Sequence, residues 1–415
     1  METAQRTMSV RCCIVGGGPA GVMLGYLLAR FGLEVAVLEK HGDFFRDFRG
    51  DTVHPSTLQV LDELGLLDRF LQRKHTEVER LAGHVGADTV TMANFAGVPG
   101  RSKFICLMPQ WEFLNFLAEE GAKYPGFQLL MKTSATGVIQ EWGRVTGVHA
   151  TANGETLDIR ADLVVACDGR HSTMRDALGI QPLNIGAPMD VLWFRISRKP
   201  EDSNAALGYI GAGSILVCIN RDDYWQCAFV IPKGSLEELK ARGLEGFRAR
   251  ILELVPQFAD RIHEVTSWDD VKLLEVAVNR LEQWYRDGIL FIGDAAHAMS
   301  PVGGVGINLA IQDAVATANI LASDLPKAGP ISNDVLRRVQ ARREWPTKMT
   351  QKLQLQIQNR IIARVLALQA PPEHAPWPMK ILSKSPLLQR IPARIVGIGF
   401  RPEHVSRRLL DHVPA

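Results

Sequence analysis

The sequence predicts an α/β protein: a discontinuous dinucleotide-binding domain, an inserted and mostly antiparallel β-sheet domain, and a helical C-terminal segment. Three observations carry this. An apolar run, Val10 to Val15, leads into Gly16-Gly17-Gly18-Pro19-Ala20-Gly21, which fits G-x-G-x-x-G and opens a helical pattern. A second buried run ends at Ala166 and is followed by Asp168-Gly169. A third, Ile289 to Ile292, feeds Gly293-Asp294 and a loop holding Pro301, Gly303, Gly304 and Gly306. Strand ends that run into glycine turns and helix starts are where open α/β sheets bind ligands.

The totals set bounds. A chain of 415 residues is long enough for two or three domains. Hydrophobic residues at 46% and charged residues at 22% suit a soluble globular protein. A net charge of +2 gives no bulk reason for nucleic-acid binding. The six cysteines (Cys12, Cys13, Cys106, Cys167, Cys218, Cys227) show no C-x-x-C and no metal-ligand spacing. Several lie in apolar strand-like runs, as reduced, packed thiols of a cytoplasmic protein do. The start carries no signal-peptide pattern, and no apolar run reaches the roughly 18 residues of a membrane span.

The elements follow in order. The helix Ala20 to Phe31 is succeeded by a strand, Glu34 to Leu38, ending at Glu39 and Lys40. This is a βαβ unit. Its glycines permit a tight turn and close backbone approach to a pyrophosphate, and the acid at the second strand end takes a ribose hydroxyl. A glycine turn that only packs helix on strand would not need Glu39. The same carboxylate repels a 2′-phosphate, so the nucleotide is FAD or NAD rather than NADP. Arg46 and Arg49, in the polar loop after this strand, reach a pyrophosphate or ribose, or form a solvated turn. Pro55 opens a helix through Leu66, and Val78 to Lys103 read as strands with turns. The helix Gln110 to Ala122 buries Phe113, Leu114, Phe116 and Leu117, while Gln110 caps it or meets a ligand. Phe127 to Met131 is a strand, followed by a small meander through Ile159. Past Asp168-Gly169, Ser172 N-caps a helix beside Arg170, His171 and Arg175, which is an anion site or an Asx turn with surface basic groups.

From Pro182 to about Asp270 the pattern changes to strands (Val191 to Ile196, Ser214 to Ile219, Tyr224 to Ile231) and one helix, Leu236 to Leu254. The chain then returns to the nucleotide domain. A helix runs from Ile307 to Ala318, and another from Val335 to about Leu368, interrupted near Pro346. The basic tail beyond Pro371 to Pro378 reads as a C-terminal cap on the sheet in preference to a partner or membrane contact. The division expected is 8–76, 101–181 and 271–345 for the nucleotide domain, 77–100 and 182–270 for the sheet domain, and 346–415 for the helical segment. Strand alternation nominates Trp193, Arg195, Tyr209, Cys218 and Trp225 as facing a substrate.

Gly16-x-Gly18-x-x-Gly21 with Glu39, then Asp168-Gly169, then Gly293-Asp294, resemble in this order the single-component flavoprotein aromatic hydroxylases, the family of p-hydroxybenzoate hydroxylase. The resemblance covers roughly residues 10 to 345. It implies a discontinuous, Rossmann-like FAD-binding domain. It implies that Gly16, Gly18, Pro19, Ala20, Gly21, Glu39 and Lys40 hold the ADP half of FAD, that Arg49 reaches the FAD, that Gln110 is the cofactor-contacting glutamine of the flavin-side helix, and that Asp168 helps orient the FAD. Gly293 and Asp294 fall on the ribityl chain. Pro301, Gly303, Gly304, Val305, Gly306, Ile307 and Asn308 form the wall and backbone amides beside the isoalloxazine ring. His171 and Arg175 fall where the family contacts NAD(P)H, in that family more often NADPH. The activity implied is reduction of the flavin by NAD(P)H, addition of O2 to give a C4a-hydroperoxide, and transfer of hydroxyl to an aromatic or heteroaromatic small molecule.

The residues themselves agree. The sequence offers neither a metal-ligand set nor a Ser-His-Asp set, so the hard chemistry suits a bound cofactor. Pro301, Gly303 and Gly304 enclose the reacting centre, and no side-chain base is assigned. His297 reads as a structural hydrogen-bonding group. There is no second G-x-G-x-x-G, and the resemblance implies that NAD(P)H docks transiently. A halogenase would need tryptophans where Cys227 and Phe229 precede Ile231-Pro232. A quinone-ring hydroxylase at a membrane surface and a flavin-bound binding protein without turnover are the alternatives.

Overall fold

Five parallel strands make the central sheet: β1 (Arg6–Val15), β2 (Val35–Leu38), β3 (Phe127–Leu130), β4 (Glu155–Ala166) and β5 (Ile289–Phe291), in the spatial order β5-β4-β1-β2-β3. This is a computed structural model, and it describes residues 6–45, 52–202, 207–325, 327 and 329–412. The inner half of β1 and all of β2 are apolar and buried on both faces, as parallel strands covered on both sides must be. Helices α1 (Pro19–Arg30), α2 (Pro55–Glu63) and α3 (Gln110–Gly121) join one core with the later helix Gly306–Leu321. The meander Thr133–Glu141 and Arg144–Ala152 supplies the second core, around Trp284 and Phe291. The sequence splits the end of this meander into two strands, but Glu155–Ala166 is one continuous strand. It pairs with β1 from Leu157 to Ala166, while on its other edge the first half pairs with the meander and the last three residues with β5.

The register places the motifs. Val15 pairs with both Leu38 and Ala166, and Ala166 with Phe291, so four strands end on one row. The residues that leave this row are Gly16, Glu39, Cys167-Asp168 and Ile292-Gly293-Asp294. All three motif turns therefore emerge at the same, C-terminal edge of the sheet.

A second sheet has seven strands in the order Lys272–Leu274, Met189–Ser197, Tyr224–Pro232, Ser214–Asn220, Leu207–Gly211, Arg80–Val85, Asp88–Asn94. Neighbours are antiparallel except for Leu207–Gly211 beside Arg80–Val85. Leu207–Gly211 has no counterpart in the sequence reading, and Lys272–Leu274 belongs here rather than with the nucleotide domain. The expected single helix after this sheet is two, α4 (Leu236–Ala241) and α5 (Gly243–Leu254), because Gly243 takes φ +81° at the junction. Both pack on one face of the sheet, against Leu192, Phe194, Phe229 and Ile231. Cys218 and Trp225 are buried in that helix-covered core, with Tyr209 packed against it. These three cannot line an open substrate face. Trp193 lies on the opposite face with Val191, Val217 and Ala228.

The chain ends in helices α6 (Gly306–Leu321), α7 (Asn333–Ile357), α8 (Trp377–Lys384) and α9 (Pro386–Gly397). Pro346 does not interrupt α7. The helix is clamped on both sides of it, by Arg343 to Asp313 and by Gln351 and Gln354 to backbone groups. The irregularity comes later, as a π-helical turn at Gln358–Ile362. Helices α8 and α9 pack on Asp88–Asn94, the edge strand of the second sheet.

Candidate cofactor and active site

The glycine turn is shaped partly by the protein and partly by space outside it. Gly16 has φ +108°, and a Cβ there would fall 2.5 Å from the Cys167 carbonyl oxygen. A Cβ on Gly21 would fall 2.0 Å from the Gly16 carbonyl oxygen. A Cβ on Gly18 would meet nothing within 4 Å. Gly18 is also the N-cap of α1, followed by Pro19, and no side chain caps it. The N–H groups of the first turn, including those of Ala20 and Gly21, thus face open space with the positive end of the helix behind them. Glu39 is buried against Gly17, and its Oε1 accepts the His41 N–H at 2.9 Å. Lys40 is exposed.

Asp168 occupies the next strand end. Its Oδ2 accepts the Met174 N–H at 3.1 Å, while its Oδ1 is buried without a partner in the protein. Burial pushes its carboxyl above the ordinary carboxylate value, and the Ser172 hydroxyl and Met174 N–H offset this only in part. Ser172 does N-cap the short helix Thr173–Ala177, accepting the Arg175 N–H at 3.2 Å. His171 is exposed beside it. Arg175 is turned inward: it is buried, and its guanidinium donates to the carbonyls of Ala295 (3.2 Å) and Arg170. That leaves it little surface for a docking dinucleotide and gives it the work of bracing the turn after Gly293-Asp294.

Gly293 and Asp294 begin a 3₁₀ turn, with Gly293 at φ +59° and Asp294 half-buried. Asp313, from α6, accepts the Gly293 N–H at 3.1 Å, the His297 Nε2–H at 2.6 Å and the Arg343 Nε–H at 2.8 Å. His297 is therefore a structural donor and not an exposed base. Burial alone would raise the Asp313 pKa, but His297 and Arg343 outweigh it and hold the carboxyl below its ordinary value. Glu403 extends the network, taking Arg342 Nε–H at 2.7 Å and Arg343 Nη1–H at 3.4 Å.

The glycine loop is fixed from two sides. Gly303 and Gly304 have φ +79° and +63°, and Gly304 N–H closes the turn on the Pro301 carbonyl at 2.9 Å. Asn308 Oδ1 accepts the His54 N–H and the Thr57 hydroxyl, both at 2.8 Å, and its Nδ2 donates to Thr52 O and Gly304 O. On the other side, three buried glutamines of the α7 stretch hold the loop. Gln351 donates to Asn279 O and Ala298 O, Gln354 donates to Ser300 O and Val302 O and accepts Ser300 N–H, and Gln358 donates to Ser300 Oγ. The N-cap of α6 is Val305, which has no capping side chain, so the N–H groups of Gly306, Ile307 and Asn308 are open to a ligand.

The sequence reading missed the Asp313 network and the glutamines. The one available signal was the spacing 351, 354, 358, polar residues on a single buried stripe of a helix. Gln110 is the first residue of α3, with Pro109 as N-cap, and it makes no capping bond. Arg49 lies outside the described residues. The groups present fit a dinucleotide flavin. Uncapped N–H donors suit a pyrophosphate, a carboxylate stands at the second strand end, and a buried acceptor on Asp168 wants a hydroxyl donor.

A family model described as FAD binding domain matches residues 9–352. A 6-methylpretetramide 4-monooxygenase of Streptomyces rimosus is 34% identical over 352 residues, covering 84% of this chain and 84% of that protein. A rifampicin monooxygenase of Streptomyces venezuelae is 28% identical over 340 residues, covering 76% of this chain and 65% of its own length. Among solved structures, pqsL, a probable FAD-dependent monooxygenase from Pseudomonas aeruginosa, matches with a TM-score of 0.74 at 25% identity, over 87% of this chain and 98% of that one. The chain belongs to this FAD binding domain family and is an FAD-dependent monooxygenase of the aromatic-hydroxylase type.

Proposed function

We propose that the chain hydroxylates an aromatic or heteroaromatic small molecule, with NADPH as the preferred reductant, at the edge where its three motif turns meet. The observation that carries this is the common row of Val15, Leu38, Ala166 and Phe291. Bound FAD supplies the redox chemistry and dioxygen activation. The chain's own residues do the rest. The N–H groups after Gly18 take the pyrophosphate, and Glu39 takes a ribose hydroxyl. Asp168 and Asp294 accept hydroxyls of the flavin's polyol chain. Pro301, Gly303 and Gly304 wall the ring, and the Gly306 to Asn308 amides stabilise negative charge on it. Lys40, Arg49, Gln110 and His171 are assigned to cofactor or NAD(P)H contact on the resemblance.

The substrate lies between this loop and the sheet face opposite α4 and α5, where Trp193, Ile215 and Val217 are half-buried and apolar. Residues 77–100 and 182–270, with the strand Lys272–Leu274, form the substrate domain on this reading. A cationic cavity of about 490 Å³ lined by Arg280, Lys348, Lys352 and Arg360 beside Gln351 suits the phosphates of NAD(P)H, and the choice of NADPH rests on the resemblance. Six unpaired thiols support a cytoplasmic setting.

The test is a screen of flavin-loaded protein beginning with 6-methylpretetramide and rifampicin, the compounds in the relatives' names, and then simple phenols and quinolones. Substrate-stimulated NADPH oxidation with a hydroxylated product supports the reading. Flavin-loaded protein whose NAD(P)H oxidation no aromatic compound alters contradicts it.

A further inference from the structure

The hairpin of α8 and α9 is fixed on its inner side. Met379 packs with Val85 and Val90, and Ala393 packs with Val78 and Phe95. Ser383 Oγ accepts the Thr91 N–H at 2.9 Å, and Gln389 Nε2 closes the turn between the helices on Leu382 O and Ser383 O. The outer side is apolar. Trp377 is 73% exposed, Leu387 69% and Ile391 58%, with Ile381 and Leu388 beside them. Of the twelve large hydrophobic side chains exposed among the described residues, these five fall between 377 and 391, so the patch is a local feature and not scatter. Trp377 and Ile381, and Leu387 and Ile391, are helix neighbours four apart. They point away from the buried Gln389, Ala393 and Gly397.

Charge runs the same way. Residues 374–402 hold five Lys and Arg (Lys380, Lys384, Arg390, Arg394, Arg401) and no Asp or Glu, in a chain whose net charge is only +2. Lys380 reaches back to Asp88 at 2.8 Å and Arg390 lies back over Gly97, while Lys384 and Arg394 are exposed beside the apolar stripe.

We propose that this face docks on an anionic lipid surface, with α8 and α9 lying in the headgroup plane. Apolar side chains ringed by cations on a short helical hairpin fit a bilayer that offers hydrocarbon and negative charge together. A second copy of the chain fits poorly, because closing this face on itself brings the cations at its rim together with no Asp or Glu between 374 and 402 to pair them. Among the described residues no helix is long and apolar enough to cross a membrane, so the contact is peripheral and reversible. It would bring the active site to compounds that partition into lipid, and it does not depend on the substrate reading above.

The full chain with its flavin is floated with vesicles of phosphatidylcholine alone and of phosphatidylcholine with a quarter phosphatidylglycerol. Flotation is expected with the anionic vesicles and lost at high salt. Lys384→Gln and Arg394→Gln each lower the partition roughly fivefold. Trp377→Ser with Leu387→Ser lowers it as well, with melting temperature and lipid-free activity unchanged. Three results overturn the proposal: no flotation on anionic vesicles, flotation that ignores the apolar substitutions, or a concentration-dependent dimer that the same substitutions dissociate while lipid binding is absent.

Discussion

Asp313 accepts the Nε2–H of His297 at 2.6 Å inside a core where the two side chains are 0% and 1% exposed. Arg343, 2% exposed, holds the other carboxylate oxygen, so one buried anion ties the Gly293 turn to α7 and to Glu403 near the C-terminus. Removing the Asp313 charge leaves the buried Arg343 guanidinium with only the longer 3.4 Å contact to Glu403 to balance it. Asp313→Asn is expected to cost about 3–5 kcal/mol of stability at neutral pH, read by thermal or denaturant unfolding. The pH dependence has a definite sign. A carboxyl held below its ordinary value stabilises fully above about pH 4, and that contribution is lost as pH falls through the depressed folded value. The gap between wild type and Asp313→Asn should therefore be widest at neutral pH and narrow in strong acid.

His54 acts in a different window. It is fully buried, its Nδ1–H donates to the Val396 carbonyl at 2.7 Å, and burial pushes its pKa from 6.5 down to about 4. The unfolded chain takes up this proton first, so stability falls as pH drops from about 6.5 toward 4, by roughly 3 kcal/mol in all. His54→Gln can keep the bond to Val396 without titrating. Its melting temperature should fall less than wild type's over that range, and equal slopes would refute the assignment.

Gln354 makes three bonds to the backbone of Ser300 and Val302, at the start of the glycine loop. Gln354→Leu strands the Ser300 and Val302 backbone groups at roughly 1–3 kcal/mol each. The expected signature is a several-fold rise in peroxide released per NADPH consumed, with KM for NADPH little changed. Full coupling in this variant would show that the loop holds its shape without α7.

Asp294→Ala is expected to weaken FAD retention roughly tenfold or more, the worth of a hydrogen bond to a charged group. Equilibrium dialysis of the reconstituted variant measures it, and unchanged affinity would remove Asp294 from the cofactor site.

Much of the fold was legible because it rests on local rules. Apolar runs ending in Gly16, Asp168 and Gly293 mark parallel strands, and Ser172 marks its cap. What was not legible depends on tertiary placement. Alternation separates Trp193 from Leu192 but cannot say which face α5 covers, and Tyr209, Cys218 and Trp225 lie on the covered side. Pro346 reads as a break, and buried anchors on either side override it. Asp313, Arg343 and Glu403 are ordinary charges in the sequence, far apart along the chain, and only the packing of α6 on α7 and of the Glu403 segment against both makes them a network.

On the proposed function the N-terminus of α1 holds the cofactor, and the decisive substitution is Gly18→Ala. The new methyl meets no protein atom within 4 Å, and φ −77° suits alanine, so the flavin-free protein should melt as wild type does. FAD affinity should fall roughly tenfold or more, because the methyl intrudes where the pyrophosphate approaches the backbone. Wild-type FAD affinity in Gly18→Ala, with an unchanged melting temperature, would contradict the account.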